Sequence, residues 1–336
     1  MMMTRRVTAS LMIASLVMAR SIAAFIAAFA TLTASIAAAQ TLKIASPQRG
    51  SWEGAIPELG KQAGIFKKHG LDLEIVYTSG GGETLQVVIS GAVDIGLSAG
   101  TAGTFGAFAK GAPIRILGAS STGSQEVFWY TKSSSPLTRM QDAHGKTISY
   151  STTGASSHIT ALRFISEYGL KDAKAVASGD VSTTITQVMS GQIDIGWCVA
   201  PFNLEPLRKG EIRLLARGSD IARVRGQTIR VQIVNAAALA QKRDAVRRYL
   251  AAYRETLEWM YESPDAVKRY VEFSGLPEIS VREMMQNFIT KDSLQIDRIA
   301  GIAESLQDAV QFKFISEPLT QKQLAELIVI DELKKE

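Results

Sequence analysis

Residues 84–96 read TLQVVISGAVDIG, and residues 184–196 read TITQVMSGQIDIG. Thr84, Val88, Ser90, Gly91, Asp94, Ile95 and Gly96 return as Thr184, Val188, Ser190, Gly191, Asp194, Ile195 and Gly196, all at one offset of 100. Such self-similarity marks a duplicated supersecondary unit. The likeness extends outward with small shifts. Lys110-Gly111 and Ile114-Arg115-Ile116-Leu117 are answered by Lys209-Gly210 and Ile212-Arg213-Leu214-Leu215. Upstream, GIFKKHGLDLEIVYTSGGG from Gly64 is answered by FISEYGLKDAKAVASGD from Phe164.

Hydrophobic patterning gives each copy the order strand, helix, strand, helix, strand. Residues 42–46, 73–77 and 93–97 are apolar or alternating runs of strand length. Between them, 56–69 and 83–90 place apolar residues three and four apart, as an amphipathic helix requires. Gly70 and Gly91 stand where the helices should stop. Strands joined by helices build a mostly parallel sheet covered on both faces. The expected fold is therefore α/β with two lobes and a cleft between them. The second copy runs from Thr147-Ile148-Ser149-Tyr150 through a helix at 157–168 to a strand at 193–197. Two extended apolar runs, 126–132 and 229–234, read as crossovers, so residues 40–128 and 232–336 form lobe I and 129–231 lobe II. From Leu239 the pattern is helical, with Ser280 and Thr320 as caps, and this tail is expected to pack around lobe I.

The N-terminus reads as an export signal. Arg5 and Arg6 precede an apolar stretch interrupted by Arg20, and an uncharged run from Ser21 ends in Ala37-Ala38-Ala39. Cleavage is expected near Ala39, with a periplasmic product; the competing reading is an uncleaved anchor, and initiation at Met12 or Met18 would give a shorter leader. No cysteine follows the run, so no lipid anchor is indicated. Without its first 39 residues the chain keeps 297, and its 34 basic residues stand against 32 acidic ones. A net charge of +5 is thus partly a property of the leader, and nothing resembles the basic face that nucleic acid requires. The single cysteine, Cys198, excludes an internal disulfide framework.

In open α/β sheets, ligands bind beyond the carboxyl ends of the strands. The corresponding loops are rich in Gly, Ser and Thr. Small residues let backbone N–H groups at a helix start reach a ligand oxygen, which favours an anionic or strongly polar ligand. The same residues also make ordinary caps and turns. Candidate contacts are Arg49, Trp52, Ser79, Gly80, Ser98 and Thr101 in lobe I. Lobe II offers Ser151, Thr153, Gly154, Ala155, Ser156, Trp197 and Pro201. Arg49 offers a planar fork for an oxyanion and Trp52 an apolar wall, although both Trp52 and Trp197 suit a core equally well.

Gly96-Leu97-Ser98-Ala99-Gly100 matches the nucleophile elbow of serine hydrolases. The histidines stop at His158, so nothing later could supply the base, and the duplicated partner Gly196-Trp197-Cys198-Val199-Ala200 loses the motif. Gly80-Gly81-Gly82 lacks the lysine of a phosphate-binding loop. Metal-ligand spacings are not found, and neither a catalytic residue nor a cofactor is expected.

On the blocks GIFKKHGLDLEIVYTSGG, SGAVDIG, KGAPIRIL and STTGASSH, the chain resembles the periplasmic substrate-binding components of the taurine, aliphatic sulfonate and nitrate class of ABC importers. The resemblance implies a type II binding-protein fold, hinged closure over a small ligand, a monomer, and docking to a membrane permease with its ATPase. A sensory protein of the same fold would bind without transport. Relatives in thiamine-precursor synthesis include enzymes with a cysteine-rich motif, and the lone Cys198 departs from that pattern.

Overall fold

The computed structural model describes residues 39–335, so the leader expected at 1–39 lies outside the described residues save for Ala39. From Gln40 onward the chain forms one body. Among the described residues no helix is long and apolar enough to cross a membrane.

The first half runs β1 (Gln40–Pro47), α1 (Ile56–Gln62), α2 (Ile65–Lys68), β2 (Leu71–Thr78), α3 (Gly81–Ile89), β3 (Ile95–Gly100), α4 (Thr101–Ala109) and β4 (Ile114–Thr122). The second runs β5 (Val127–Lys132), β6 (Thr147–Tyr150), α5 (Ser156–Glu167), β7 (Lys174–Ala177), α6 (Val181–Ser190), β8 (Gly196–Val199), α7 (Leu204–Arg208), β9 (Ile212–Arg217) and β10 (Thr228–Asn235). The tail comprises α8 (Ala236–Gln241), α9 (Arg243–Glu262), α10 (Pro264–Ser274), α11 (Glu278–Asn287), α12 (Ile302–Gln311), α13 (Gln321–Leu327) and α14 (Ile330–Lys335).

The first sheet has the order β2-β1-β3-β10-β4, and β1 pairs β2 in parallel along its whole length. In the second lobe β6 pairs β7 in parallel, Ile148 bridges Ile195 beside β8, and β5 lies between β8 and β9. Both lobes therefore repeat one order, with a crossover strand in fourth place. Each crossover strand runs antiparallel to its neighbours. The boundaries expected at 128/129 and 231/232 fall inside β5 and β10: β5 joins the second sheet from Val127, and β10 the first from Thr228.

The recurring residues fill equivalent places. Thr84 Oγ1 lies 2.6 Å from Thr78 Oγ1, and Thr184 Oγ1 lies 2.7 Å from Ser178 Oγ. Gly91 and Gly191 follow their helices with φ of 74° and 81°, a backbone that side chains with a Cβ resist. Asp94 accepts from the Lys43 N–H and from Lys242 Nζ, both at 2.8 Å. Asp194 does the same for the Thr147 N–H at 3.0 Å and Lys146 Nζ at 3.2 Å. A Cβ on Gly96 or Gly196 would come within 2.7 Å of the Val88 or Val188 methyl. Helix can therefore lie directly on strand at the same point in both lobes.

Two local departures have simple causes. The helix expected over 56–69 is broken into α1 and α2 at Gly64, whose φ is 77°. Strand β3 runs on to Gly100, so Ser98 lies in the sheet and not in a loop. The tail also reaches further than expected. Helices α9, α13 and α14 pack on the first lobe, but α11 touches the second as well, where Arg208 meets Glu283 at 2.9 Å and Phe288 follows with its ring against Phe128. On the far side, Asp308 of α12 takes Arg163 Nε of α5 at 2.9 Å, both side chains buried.

Candidate functional site

The carboxyl ends of β1, β3, β6 and β8 and the starts of α3 and α5 converge on a narrow cavity of about 50 Å³. Lobe I brings Gln48, Ser51 and Glu53 from the chain after β1, Gly80 and Gly81 from the start of α3, and Ser98. Lobe II brings Ser151, then Ala155, Ser156 and Ser157 at the start of α5. Val127, Trp197 and Val199 supply an apolar side. Hydroxyls facing an apolar wall suit a small organic solute.

Contacts between the lobes close this space. Gln48 donates its amide to the Ser79 carbonyl and accepts the Val181 N–H of α6 at 3.2 Å, which ties lobe I to lobe II. The Gly82 N–H donates to Thr152 Oγ1 at 3.0 Å. Glycine is required at this approach: a Cβ on Gly82 would strike the Thr153 carbonyl, and one on Gly100 the Gly154 carbonyl.

The cation on the wall is Arg230 of β10, which is itself committed to carboxylates. Its Nε donates to Glu53 Oε2 at 2.9 Å, and its Nη2 meets both Glu53 Oε2 at 2.6 Å and Glu126 Oε1. Burial alone would lower the guanidinium pKa, but the charges of Glu53 and Glu126 outweigh it and hold the group protonated. Ser98 Oγ donates to Glu53 Oε1 at 2.5 Å, and Ser121 Oγ to Glu126 Oε1 at 3.1 Å. The other Glu126 oxygen is buried without a hydrogen-bond partner among the described residues.

Helix starts supply the complementary polarity. Neither α3, which follows Gly80, nor α5, which follows Ala155, has a side-chain cap, so their first N–H groups are not covered by their own residues. Among the described residues no cluster of three or more His, Cys, Asp or Glu is placed to hold a metal.

With this geometry in hand, comparison with known proteins is decisive for kinship. The profile of the family described as NMT1/THI5 like matches residues 59–267, more than half of the chain. The chain belongs to this family. Within reach of it lies the 4-amino-5-hydroxymethyl-2-methylpyrimidine phosphate synthase THI5 of Saccharomyces cerevisiae, 26% identical over 231 residues, 64% of this chain and 66% of the relative. The match thus spans slightly less than two thirds of that relative's length. Among solved structures, the alkanesulfonate-binding protein SsuA of Xanthomonas axonopodis pv. citri bound to MOPS superposes with a TM-score of 0.69 at 19% identity, covering 87% of this chain and 97% of that one. The periplasmic nitrate-binding protein NrtA of Synechocystis PCC 6803 gives 0.69 at 13% identity, covering 88% of each. At these identities the likeness concerns the fold, which is that of periplasmic binding proteins.

Against this family background the expected contacts divide. Gly80, Ser98, Ser151, Ala155, Ser156 and Trp197 line the cavity. Trp52 does not. It is 1% exposed, packs edge-on to Tyr270 at 4.8 Å and donates to the Tyr261 hydroxyl, which makes it a core residue. Arg49 is exposed in a separate groove at the cleft mouth, its guanidinium over the Phe273 ring at 4.8 Å, and Ser79 borders that groove too. Thr101 turns its hydroxyl onto the Thr228 carbonyl at 2.6 Å. Thr153 is exposed, Gly154 packs against Gly103, and Pro201, after a cis peptide bond, is buried off the lining.

Ser98 does adopt the positive φ of an elbow, 56°, but its hydroxyl is spent on Glu53. None of the three histidines lines its cavity. His69 meets Glu255, His144 accepts from the Lys171 N–H, and His158 stacks on Tyr150. The residues missed by sequence reasoning are Glu53, Glu126 and Arg230. A charge flanked by apolar residues, as in Ile229-Arg230-Val231, or one leading an apolar run, as in Glu126-Val127-Phe128, was the available signal, because a buried charge must find a partner.

Proposed function

We propose that the protein is an exported, periplasmic solute-binding protein that captures a small organic molecule bearing an oxyanionic end and passes it to an ABC-type permease. The observation that carries this reading is the cavity itself, walled by both lobes and closed by Gln48, Gly82 and Gly154. The oxyanion would lie at the uncapped starts of α3 and α5, where two helix dipoles and serine hydroxyls converge. Opening moves the lobes apart about β5 and β10; closure buries the ligand and presents a joined surface to the permease. The chain would act as a monomer. SsuA and NrtA, named as binding proteins for sulfonates and nitrate, support the class of function without choosing the ligand.

The test is a thermal-shift screen of sulfonates, carboxylates and nitrogen-containing acids on the mature chain. A true ligand at about a hundred times its dissociation constant stabilises by roughly 2.7 kcal/mol. Absence of any shift across the panel would end this reading. A second reading, synthesis of a pyrimidine phosphate, is favoured by the yeast relative's name. Formation of that product by the purified protein would replace binding by catalysis.

A further inference from the structure

Away from the cavity, the tail and the second lobe share another interface. Helix α12 belongs to the first lobe, where Leu306 and Ala309 are buried with Phe105, Ile114 and Val231. Helix α5 belongs to the second, where Phe164 packs edge-on to Trp129 at 5.0 Å. Between the two helices, Arg163 Nε donates to Asp308 Oδ2 at 2.9 Å and Nη2 pairs with Oδ1. Arg223, also of the second lobe, reaches the same Oδ1 at 3.5 Å. On either side along α5, the His158 ring meets Phe314 at 5.7 Å and Ser166 Oγ accepts from Gln311 at 3.1 Å.

Two features set this contact apart. The Arg163 and Asp308 side chains are each 2% exposed, whereas Arg208 and Glu283, which join the lobes through α11, are 33% and 27% exposed. An exposed pair is worth little, but a buried pair ties its partners to one arrangement, because losing either charge strands the other. The interface also follows α5 from His158 to Ser166, about 12 Å at 1.5 Å per residue, so a rotation of the lobes about β5 and β10 cannot keep all of it. All of these contacts are between protein groups, and none of the residues making them lines the cavity.

We infer that α12 is a clamp on the second lobe, with the Arg163–Asp308 pair as the catch that holds the lobes together independently of the solute and that parts when they open. The resting protein is then mainly closed, and the tail governs how often the cavity opens from a place the solute does not touch. The hinged motion proposed above is taken over here; the identity of the solute is not.

The test needs no solute. Spin labels at Gln86→Cys in α3 and Thr186→Cys in α6, both exposed positions, report the separation of the lobes in the mature chain, whose own Cys198 is buried. The short separation is expected to predominate in the otherwise wild-type chain, and Asp308→Ala to lower the ratio of closed to open molecules about tenfold or more. Arg163→Met, which strands the partner in the other lobe, should do the same, and Glu283→Gln in the exposed pair should change the ratio less than about twofold. A wild-type chain already mostly open overturns the inference, as does a closed fraction that neither catch variant lowers although both melt cooperatively. A loss on Glu283→Gln as large as that on Asp308→Ala overturns it too. If both catch variants fold poorly, the wild-type distribution decides alone. Each of these outcomes leaves solute binding to be judged by the thermal-shift screen.

Discussion

The start of α3 and the start of α6 hold the same place in the two halves of the chain and are built in opposite ways. Helix α6 follows Asp180, whose carboxylate accepts from the Thr183 N–H and the Ser182 hydroxyl, each at 2.7 Å. Partial burial pushes that carboxyl up, but these hydrogen bonds outweigh it and hold it below its usual range. Helix α3 begins Gly80-Gly81-Gly82 with no side-chain cap, and its first turn faces the cavity and the opposite lobe. One helix satisfies its own end; the other has no side-chain cap of its own, and its Gly82 N–H is taken by Thr152 of the opposite lobe. The residues common to both halves, Thr84 and Thr184, Asp94 and Asp194, Gly96 and Gly196, all hold strand to helix or strand to strand. What the halves share makes the lobe; the start of α3, where they differ, lines the cavity.

Several substitutions can break that division. The largest effect is expected from Arg230→Met, which strands Glu53 and Glu126 in the interior and should cost about 3–5 kcal/mol in urea unfolding; a neutral result would mean that the triad is not held as described. Next comes Gly82→Ser, which copies Ser182 of the other half. It should weaken ligand binding about a hundredfold by opposing closure, with the melting temperature of the free protein little changed. Unaltered affinity would remove α3 from the closing surface.

One pH effect belongs to the second half. Burial lowers the His158 pKa from 6.5 to about 4. Because the folded value lies below the unfolded one, its contribution is complete above pH 6.5 and fades as pH falls toward 4, by about 3 kcal/mol. In His158→Gln the stability curve should flatten over that interval. The shared aspartates should differ by degree: Asp94→Ala about 2 kcal/mol, Asp194→Ala about 1, since the first side chain is 12% exposed and the second 38%. Equal losses would count against burial as the cause. The smallest change, Asp180→Ala, removes a cap worth about 1 kcal/mol and should leave affinity untouched.

Much of the lobe architecture was legible because the duplication repeats its structural residues at a constant offset. Strand direction was less so. Periodicity tells which face is buried, not which neighbour pairs, so the antiparallel insertion of β5 and β10 emerged only from the hydrogen-bond ladders. The hydroxyl lining at Ser151 and Ser156 could be read because loops and helix starts follow strand ends, whereas Ser98 lines the cavity from within β3. Trp52 misled because an aromatic beside a Gly-rich loop looks the same whether it faces a ligand or Tyr270. Glu53 and Arg230 lie 177 residues apart and become partners only when β10 returns beside β3.

That return has a mechanical meaning. The chain passes into the second sheet just after Glu126 and comes back to the first through the strand that holds Arg230. The ion pair therefore joins the two stretches of chain that connect the lobes, with Arg230 on the wall of the cavity between them. If the lobes swing about these strands, as proposed above, an occupant that draws on those carboxylates would also alter the stiffness of that swing. Selectivity and residence time would then be coupled properties, set by the same three side chains and not separately adjustable.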